Sequence, residues 1–459
     1  MLNVYSRLVI GLIATLIAAI LVYNLLHAEL YVAELGTAIE RFGVPALLIA
    51  GLIGALYSRL QTRLMIANTI VAVVAALYCG EFYLAWQLDN QQQRAGRARG
   101  VQFDGRSKIA VLHDLRASGV DAYPIIRGRN LLQADRQGQL QPMLSIAGNP
   151  ILPLTGLPLT TEVSCNETGQ WQIYQSDRYG FNNDDALWDV RPPAIAMIGD
   201  SFAHGSCVRR DQNMEAHLRE RFGPTLNLGV GGDGPLLELA ALTEYAEPVR
   251  PKIVLWAFFE GNDLNEDLPL ELRSPLLRRY LAEPSFTQDL IHKAGDMTYA
   301  LKNYLDRNLH EAMDRVDDPT EGLLRYVSLD RVRNAAGLGP VQIGYNGGRL
   351  SDELDVFGQV MRAAQAKVQG WGGQLYLVYL PESDRYLAQF GGSSVREKIY
   401  QGVQAVAEKQ GIKLIDVAAA FSQQPSPGRL FVYPGSHYNP EGYAVAARAI
   451  AERLNHDIK

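Results

Sequence analysis

Cysteine is scarce in this chain: three in 459 residues, Cys79, Cys165 and Cys207. So few cannot build a small disulfide scaffold. They leave two states open for Cys165 and Cys207, a bridge in an oxidising compartment or two buried thiols. Metal signatures are missing too: neither H-E-x-x-H nor C-x-x-C occurs, so no metal site is expected. The glycine-rich run Gly229-Val-Gly-Gly-Asp-Gly234 is no Walker A, and neither a nucleotide nor any other cofactor is expected. Excess positive charge is absent as well. The formal charge is -6, with no basic stripe carrying interleaved aromatics, which argues against a nucleic-acid partner.

What the chain does have is two unlike parts. Residues 1–88 are strongly apolar and are expected to form a transmembrane region of about three helices, Leu8–Leu26, Phe42–Tyr57 and Leu64–Trp86. The first lacks the basic start and A-x-A site of a cleaved signal peptide. The second is short and holds Pro45. Tyr78, Tyr83 and Trp86 suit an interface belt, and Glu81 is expected at headgroup level. Arg59 and Arg63 suit a cytoplasmic loop and Glu29, Glu34 and Glu40 an outer one, but Arg94, Arg97, Arg99, Arg106 and Lys108 follow the third segment. Charge alone therefore leaves topology open. Residues 89–160 are expected to be a polar juxtamembrane linker (Asp89 to Gly105) and an accessory segment. A short amphipathic helix is expected over Arg106–Ser118 and an edge strand at Trp171–Tyr174.

From residue 161 to 459 short apolar runs alternate with helical stretches. Strands are expected at Ala194–Ile198, Thr225–Leu228, Lys252–Phe259, Gln374–Leu380 and Lys413–Ile415, and helices at Glu215–Phe222, Leu236–Tyr245, Val395–Gln410 and Glu441–Leu454. That rhythm implies an α/β domain with a mostly parallel sheet covered on both faces. A charged, helical insertion over about 264–348 follows the third strand and suits a cap over the active face, with a peripheral helical hairpin as the alternative.

Polar residues collect at the strand ends. The first strand runs into Gly199-Asp200-Ser201, where open α/β sheets place ligands. Ser201 there suits a nucleophile, or the cap of the next helix. The second strand leads to Gly231-Gly232, whose backbone can approach a ligand closely. The third leads to Asn262, an amide donor. His437 stands just before the last helix and can act as base to Ser201. A nucleophile, a base and oxyanion donors (the N–H groups of Ser201 and Gly232 with the Asn262 amide) are the parts that acyl transfer requires. His204 and His217 fit pocket-wall and helix-face positions.

These blocks, Gly199-Asp200-Ser201, Asn227-Leu-Gly-Val-Gly-Gly232, Gly261-Asn262-Asp263 and His437, resemble the SGNH, or GDSL-like, hydrolases in kind and order over about residues 190–459. The resemblance implies a flavodoxin-like three-layer fold without a metal. It also implies an enzyme, a carboxylic-ester hydrolase or O-acyltransferase, working on lipids or glycans. The serine lies outside the G-x-S-x-G elbow, because Ala203 fills its last position. One departure stands out. The family carries an Asp three residues before the histidine, where this chain has Pro434; Gly435 fills the variant position. Asp416, Glu441 or a backbone carbonyl could orient His437 instead. The expected protein is a membrane-anchored serine esterase of the cell envelope, catalytic domain on the extracytoplasmic (periplasmic) side, whose partners are the membrane, an acylated lipid or glycan, and envelope polysaccharide machinery. The alternatives are an O-acyltransferase on an exported polysaccharide and a degenerate glycan-binding scaffold.

Overall fold

The computed structural model describes residues 1–26, 39–98, 100–313, 329, 332, 350–386 and 393–458. They divide into two compact units. One comprises residues 1–90, 135–138 and 317–346; the other holds 91–134, 139–316 and 347–459.

The first unit contains α1 (Leu2–Leu26), α2 (Val44–Leu56) and most of α3 (Leu60–Ala98). Leu2–Val22 and Leu60–Arg94 are long and apolar enough to cross a membrane, which by itself is weak evidence of one. α2 has 13 residues, about 20 Å of helix at 1.5 Å per residue, short of a hydrocarbon core of about 30 Å. Of the three expected spans, then, two have the length. The expected linker after Asp89 is helix as far as Ala98, because Gln91-Gln92-Gln93-Arg94-Ala95 are good helix formers. Glu81 is fully buried and accepts the Val332 N–H at 2.9 Å, rather than facing outward. Glu29 and Glu34 lie outside the described residues, as does the Glu40 side chain.

The second unit begins with an accessory part. Helix α4 (Lys108–Ala117) is capped by the Ser107 hydroxyl. A small sheet joins β1 (Ala122–Pro124), β2 (Thr161–Val163) and β3 (Ile173–Gln175), with β1 parallel and β3 antiparallel to β2. The main sheet has five parallel strands: β4 (Ile195–Gly199), β5 (Thr225–Asn227), β6 (Ile253–Phe259), β7 (Gln374–Leu380) and β8 (Lys413–Asp416). Their spatial order is β5-β4-β6-β7-β8. Alternation along each strand feeds two hydrophobic clusters. Met197, Leu255 and Val378 pack on one face with Met214, Leu218, Tyr443 and Ile450. Ile198, Trp256 and Leu377 pack on the other with Leu236, Leu239, Phe357 and Met361. Both faces being covered explains why these strands read as unbroken apolar runs.

Among the described residues of the 264–348 insertion, helices Pro275–Ala282 and Ala294–Met313 are formed. The second meets the accessory part: Tyr123 donates its hydroxyl to Asp306 at 2.8 Å, Arg116 pairs with Asp306 at 3.3 Å, and Lys302 pairs with Asp121 at 2.8 Å. No described insertion residue lines the cavity at Ser201. The described part therefore braces the accessory segment instead of capping the serine; most of 314–349 lies outside the described residues.

Candidate active site

β4 ends at Gly199, where a side chain has no room. A Cβ there would stand 2.8 Å from both the Ala203 Cβ and the Ala257 carbonyl oxygen. The chain then turns into a four-residue helix, Ser201–His204. Its cap is Asp200, whose carboxylate accepts the Phe202 N–H at 2.8 Å. With capping done by Asp200 Oδ1, the Ser201 hydroxyl keeps only a long contact to Asp200 Oδ2, at 3.4 Å, and has a closer partner. That partner is His437, whose Nε2 lies 2.8 Å from Ser201 Oγ.

The other face of the imidazole answers the question left by Pro434. His437 Nδ1 lies 2.9 Å from Glu167 Oε1, and the His437 backbone N–H donates to Glu167 Oε2 at 2.9 Å. A carboxylate only accepts, so Nδ1 carries the ring proton and Nε2 turns its lone pair to the serine hydroxyl. Burial lowers the His437 pKa, but the Glu167 carboxylate and Asp200 outweigh it, and the net position is above the ordinary 6.5. Asp200 is pushed up to about 6 by its own burial.

Glu167 was not among the expected orienting groups. Asp416 instead caps the helix Val417–Ser422 and accepts from Tyr400, while Glu441 is exposed in the first turn of Pro440–Ile458. Glu167 lies in the loop between β2 and β3, 270 residues from His437 in sequence. Cys165, two residues before it, is bridged to Cys207, six residues after Ser201. Asn166 adds a second tie, donating to the Asp104 carbonyl at 2.6 Å. The cysteine pair was the one available signal. Had it been taken as bonded, it would have brought Glu167, two residues from Cys165, toward the serine turn.

Gly232 and Asn262, at the ends of other strands, are joined by a residue the sequence did not flag. Arg129 Nη1 donates to the Gly232 carbonyl at 3.1 Å and to Asp267 Oδ1 at 2.5 Å; Asp267 Oδ2 accepts the Asn262 amide at 2.7 Å. Gly232 has φ +78°, a left-handed conformation that favours glycine. Asn262, Ser201 and His437 line one cavity of about 240 Å³, with Phe202 and Phe259 as its aromatic wall. Gly232 does not line it. A larger cleft of about 540 Å³ runs past Trp171, Cys207 and Arg209, but neither Ser201 nor His437 reaches it.

Other sequence candidates fall elsewhere. His204 is buried against the Tyr174 hydroxyl at 2.9 Å, and burial drives it down to about 3, so it is neutral. His217 sits half-buried on the helix Met214–Phe222. The spacing of Gly229, Gly231 and Gly234 does fit G-x-G-x-x-G. The buried Glu271 carboxylate, however, already takes the N–H groups of Gly234, Leu236 and Leu237, at 2.6, 2.8 and 3.4 Å, where a phosphate would bind. Among the described residues one cluster could hold a cation, Glu167, Cys207 and His437. The Cys207 sulfur is bonded to Cys165 and has no thiolate to offer.

The GDSL-like Lipase/Acylhydrolase family matches residues 197–445, just over half of the chain. A Pseudomonas putida protein described as "Probable alginate O-acetylase AlgJ" is 27% identical over 100 residues, 21% of this chain. The match spans 26% of that relative's length. Among solved structures, the lipase/acylhydrolase of Enterococcus faecalis is 13% identical at a TM-score of 0.33, covering 57% of this chain and 95% of that one. A mutant of the acetyl-xylooligosaccharide esterase Axe2 from Geobacillus stearmophilus is 14% identical at 0.32, covering 57% and 94%.

Proposed function

The chain belongs to the GDSL-like lipase/acylhydrolase family, and from that premise we propose a membrane-anchored serine esterase acting on acyl esters of an envelope lipid or glycan. The observation that carries this reading is the continuous chain Glu167–His437–Ser201, with both links at 2.8–2.9 Å. Ser201 Oγ attacks the acyl carbonyl while His437 Nε2 takes its proton. The Ser201 N–H and the Asn262 amide, whose residues line the cavity, receive the developing oxyanion; the Gly232 N–H, outside that lining, is the third donor only as the resemblance implies. The imidazolium returns the proton to the departing alcohol, leaving an acyl-serine that water resolves by the same steps. Glu167 holds the tautomer and stabilises the imidazolium.

The order of the main sheet, with helices on both faces, supports a flavodoxin-like three-layer domain over about 161–459, after a membrane region (1–88) and an accessory segment (89–160). The two long apolar helices and the Cys165–Cys207 bridge support a multi-pass protein with this domain on an oxidising, extracytoplasmic side. A carboxylate at His437 removes the main argument for a degenerate scaffold. The likeness to an O-acetylase keeps one second reading, an O-acyltransferase serving envelope polysaccharide machinery, in which a sugar hydroxyl replaces water. Supplying an acceptor glycan with a chromogenic acetyl donor separates the two. A hydrolase sends the acetyl group only to water; stoichiometric acetylation of the glycan would overturn the esterase reading.

Two further outcomes are expected. The base must be neutral, and its pKa lies above 6.5. In a pH series kcat/KM should therefore rise with pH through an apparent pKa above 6.5 and level off beyond it. Reduction of the disulfide, or Cys165→Ser, frees one tie on the Glu167 loop and should lower kcat by about 10²-fold, the scale of an ångström-sized misplacement. In a Glu167→Gln background the same reduction should change little.

A further inference from the structure

Two arginines flank the glycine loop beside Ser201, and they are used differently. Arg129 is tied to Gly232 and Asp267. Arg127 is exposed, and among the described residues its guanidinium has neither a hydrogen bond nor an ion pair. Yet it does not trail into solvent. A Cβ placed on Gly231 would meet Arg127 Nε at 3.4 Å, Arg127 Nη2 at 3.5 Å and the Ser201 Cβ at 3.5 Å; one placed on Gly232 would meet Arg127 Nη1 at 3.4 Å. The whole guanidinium thus lies along the backbone of the predicted oxyanion loop, and shares a point beside Gly231 with the nucleophile's own Cβ. Its charge is felt by the site: it works against protonation of His437 and of Lys108.

A planar, unpaired guanidinium in that position suits a bidentate anion. The cavity at Ser201, about 240 Å³ and lined by Asp200, Asn262, Glu382, Phe202 and Phe259, lies below the roughly 300–1,000 Å³ of pockets for drug-sized ligands. It suits a short acyl group. The anion must then sit on the alcohol half of the ester. We propose that Arg127 is a specificity residue that binds the carboxylate of an acidic sugar, so that the preferred substrate is a short-chain O-acyl ester of a uronic-acid glycan. This rests on the esterase reading above and deepens it.

The test compares kcat/KM for an O-acetylated oligouronate with that for an O-acetylated neutral xylooligosaccharide, in wild type, Arg127→Ala and Arg127→Lys. The ratio of the two is independent of how much enzyme is folded. The expected result is a wild-type preference for the oligouronate, weakened by salt, that drops at least tenfold in Arg127→Ala and is partly restored in Arg127→Lys. A smaller drop, including equal losses on both esters as an oxyanion role would give, overturns the proposal. So does a wild-type preference for a short-chain phosphoglyceride over the oligouronate. A binding arm separates this outcome from failure of the esterase reading: non-acylated oligouronate is titrated into Ser201→Ala with and without Arg127→Ala. Tenfold weaker binding without the arginine supports the subsite even if neither ester is turned over, and equal binding contradicts it.

Discussion

Replacing Glu167 by glutamine is expected to lower kcat by about 10⁴-fold with little change in KM, the scale seen when the orienting acid of a serine triad becomes its amide. The geometry gives the reason. Glu167 accepts both the ring Nδ1 proton and the backbone N–H of His437. A glutamine that keeps the backbone contact turns its amide NH₂ toward Nδ1. The ring must then carry its proton on Nε2, pointing at Ser201 instead of accepting from it. The variant should also move the low-pH limb of kcat/KM downward, because the carboxylate is the leading influence that raises the His437 pKa against burial. Glu167→Asp keeps the charge but shortens the reach, and should fall between the two. A loss below tenfold in Glu167→Gln, with the pH limb unmoved, would assign the orienting role elsewhere, first to Asp200.

Ser201→Ala carries the larger expected loss, about 10⁶-fold in kcat on a p-nitrophenyl ester of a short acid, comparable to losing the nucleophile of other serine hydrolases. The hydroxyl is replaceable by nothing nearby. Within the cavity Ser436 is the other hydroxyl, and it is spent on the Tyr433 carbonyl and N–H. Because serine and histidine act as one unit, Ser201→Ala with His437→Ala should be no slower than either variant alone. Near-full activity in Ser201→Ala would sink the catalytic assignment; additive losses would mean that the two residues serve separate steps.

How much of this was legible beforehand depended on how far apart the cooperating residues lie. β7 (Gln374–Leu380) is found as expected, and the other four main strands lie within a residue or so, because a strand buried on both faces announces itself as a short apolar run. Ser201, Asn262 and His437 were legible for a related reason: each follows directly on a recognisable strand or precedes a recognisable helix. The gap was the partner of His437. A search near the histidine met Pro434 and Gly435, whereas the carboxylate comes from a small sheet on the far side of the sequence. No local pattern marks Glu167. What brings it in is a disulfide, and sequence alone left that bond undecided. Arg127 and Arg129 were missed on the same ground, since their meaning depends on the Gly231-Gly232 loop they touch. The polar linker after Asp89 was placed without a secondary structure; its residues favour helix, and the preceding helix runs on to Ala98.

The account stands on Ser201 forming a covalent acyl intermediate. The direct measurement is a brief incubation with a p-nitrophenyl ester, an acid quench within the burst, and peptide mass spectrometry. The predicted result is one acyl group on the peptide holding Gly199-Asp200-Ser201, assigned to Ser201, accumulating further when Glu167 is glutamine if deacylation is the step more impaired, and absent in Ser201→Ala. Turnover with no acyl-enzyme under any quench, or with the acyl group on a different residue, would contradict it.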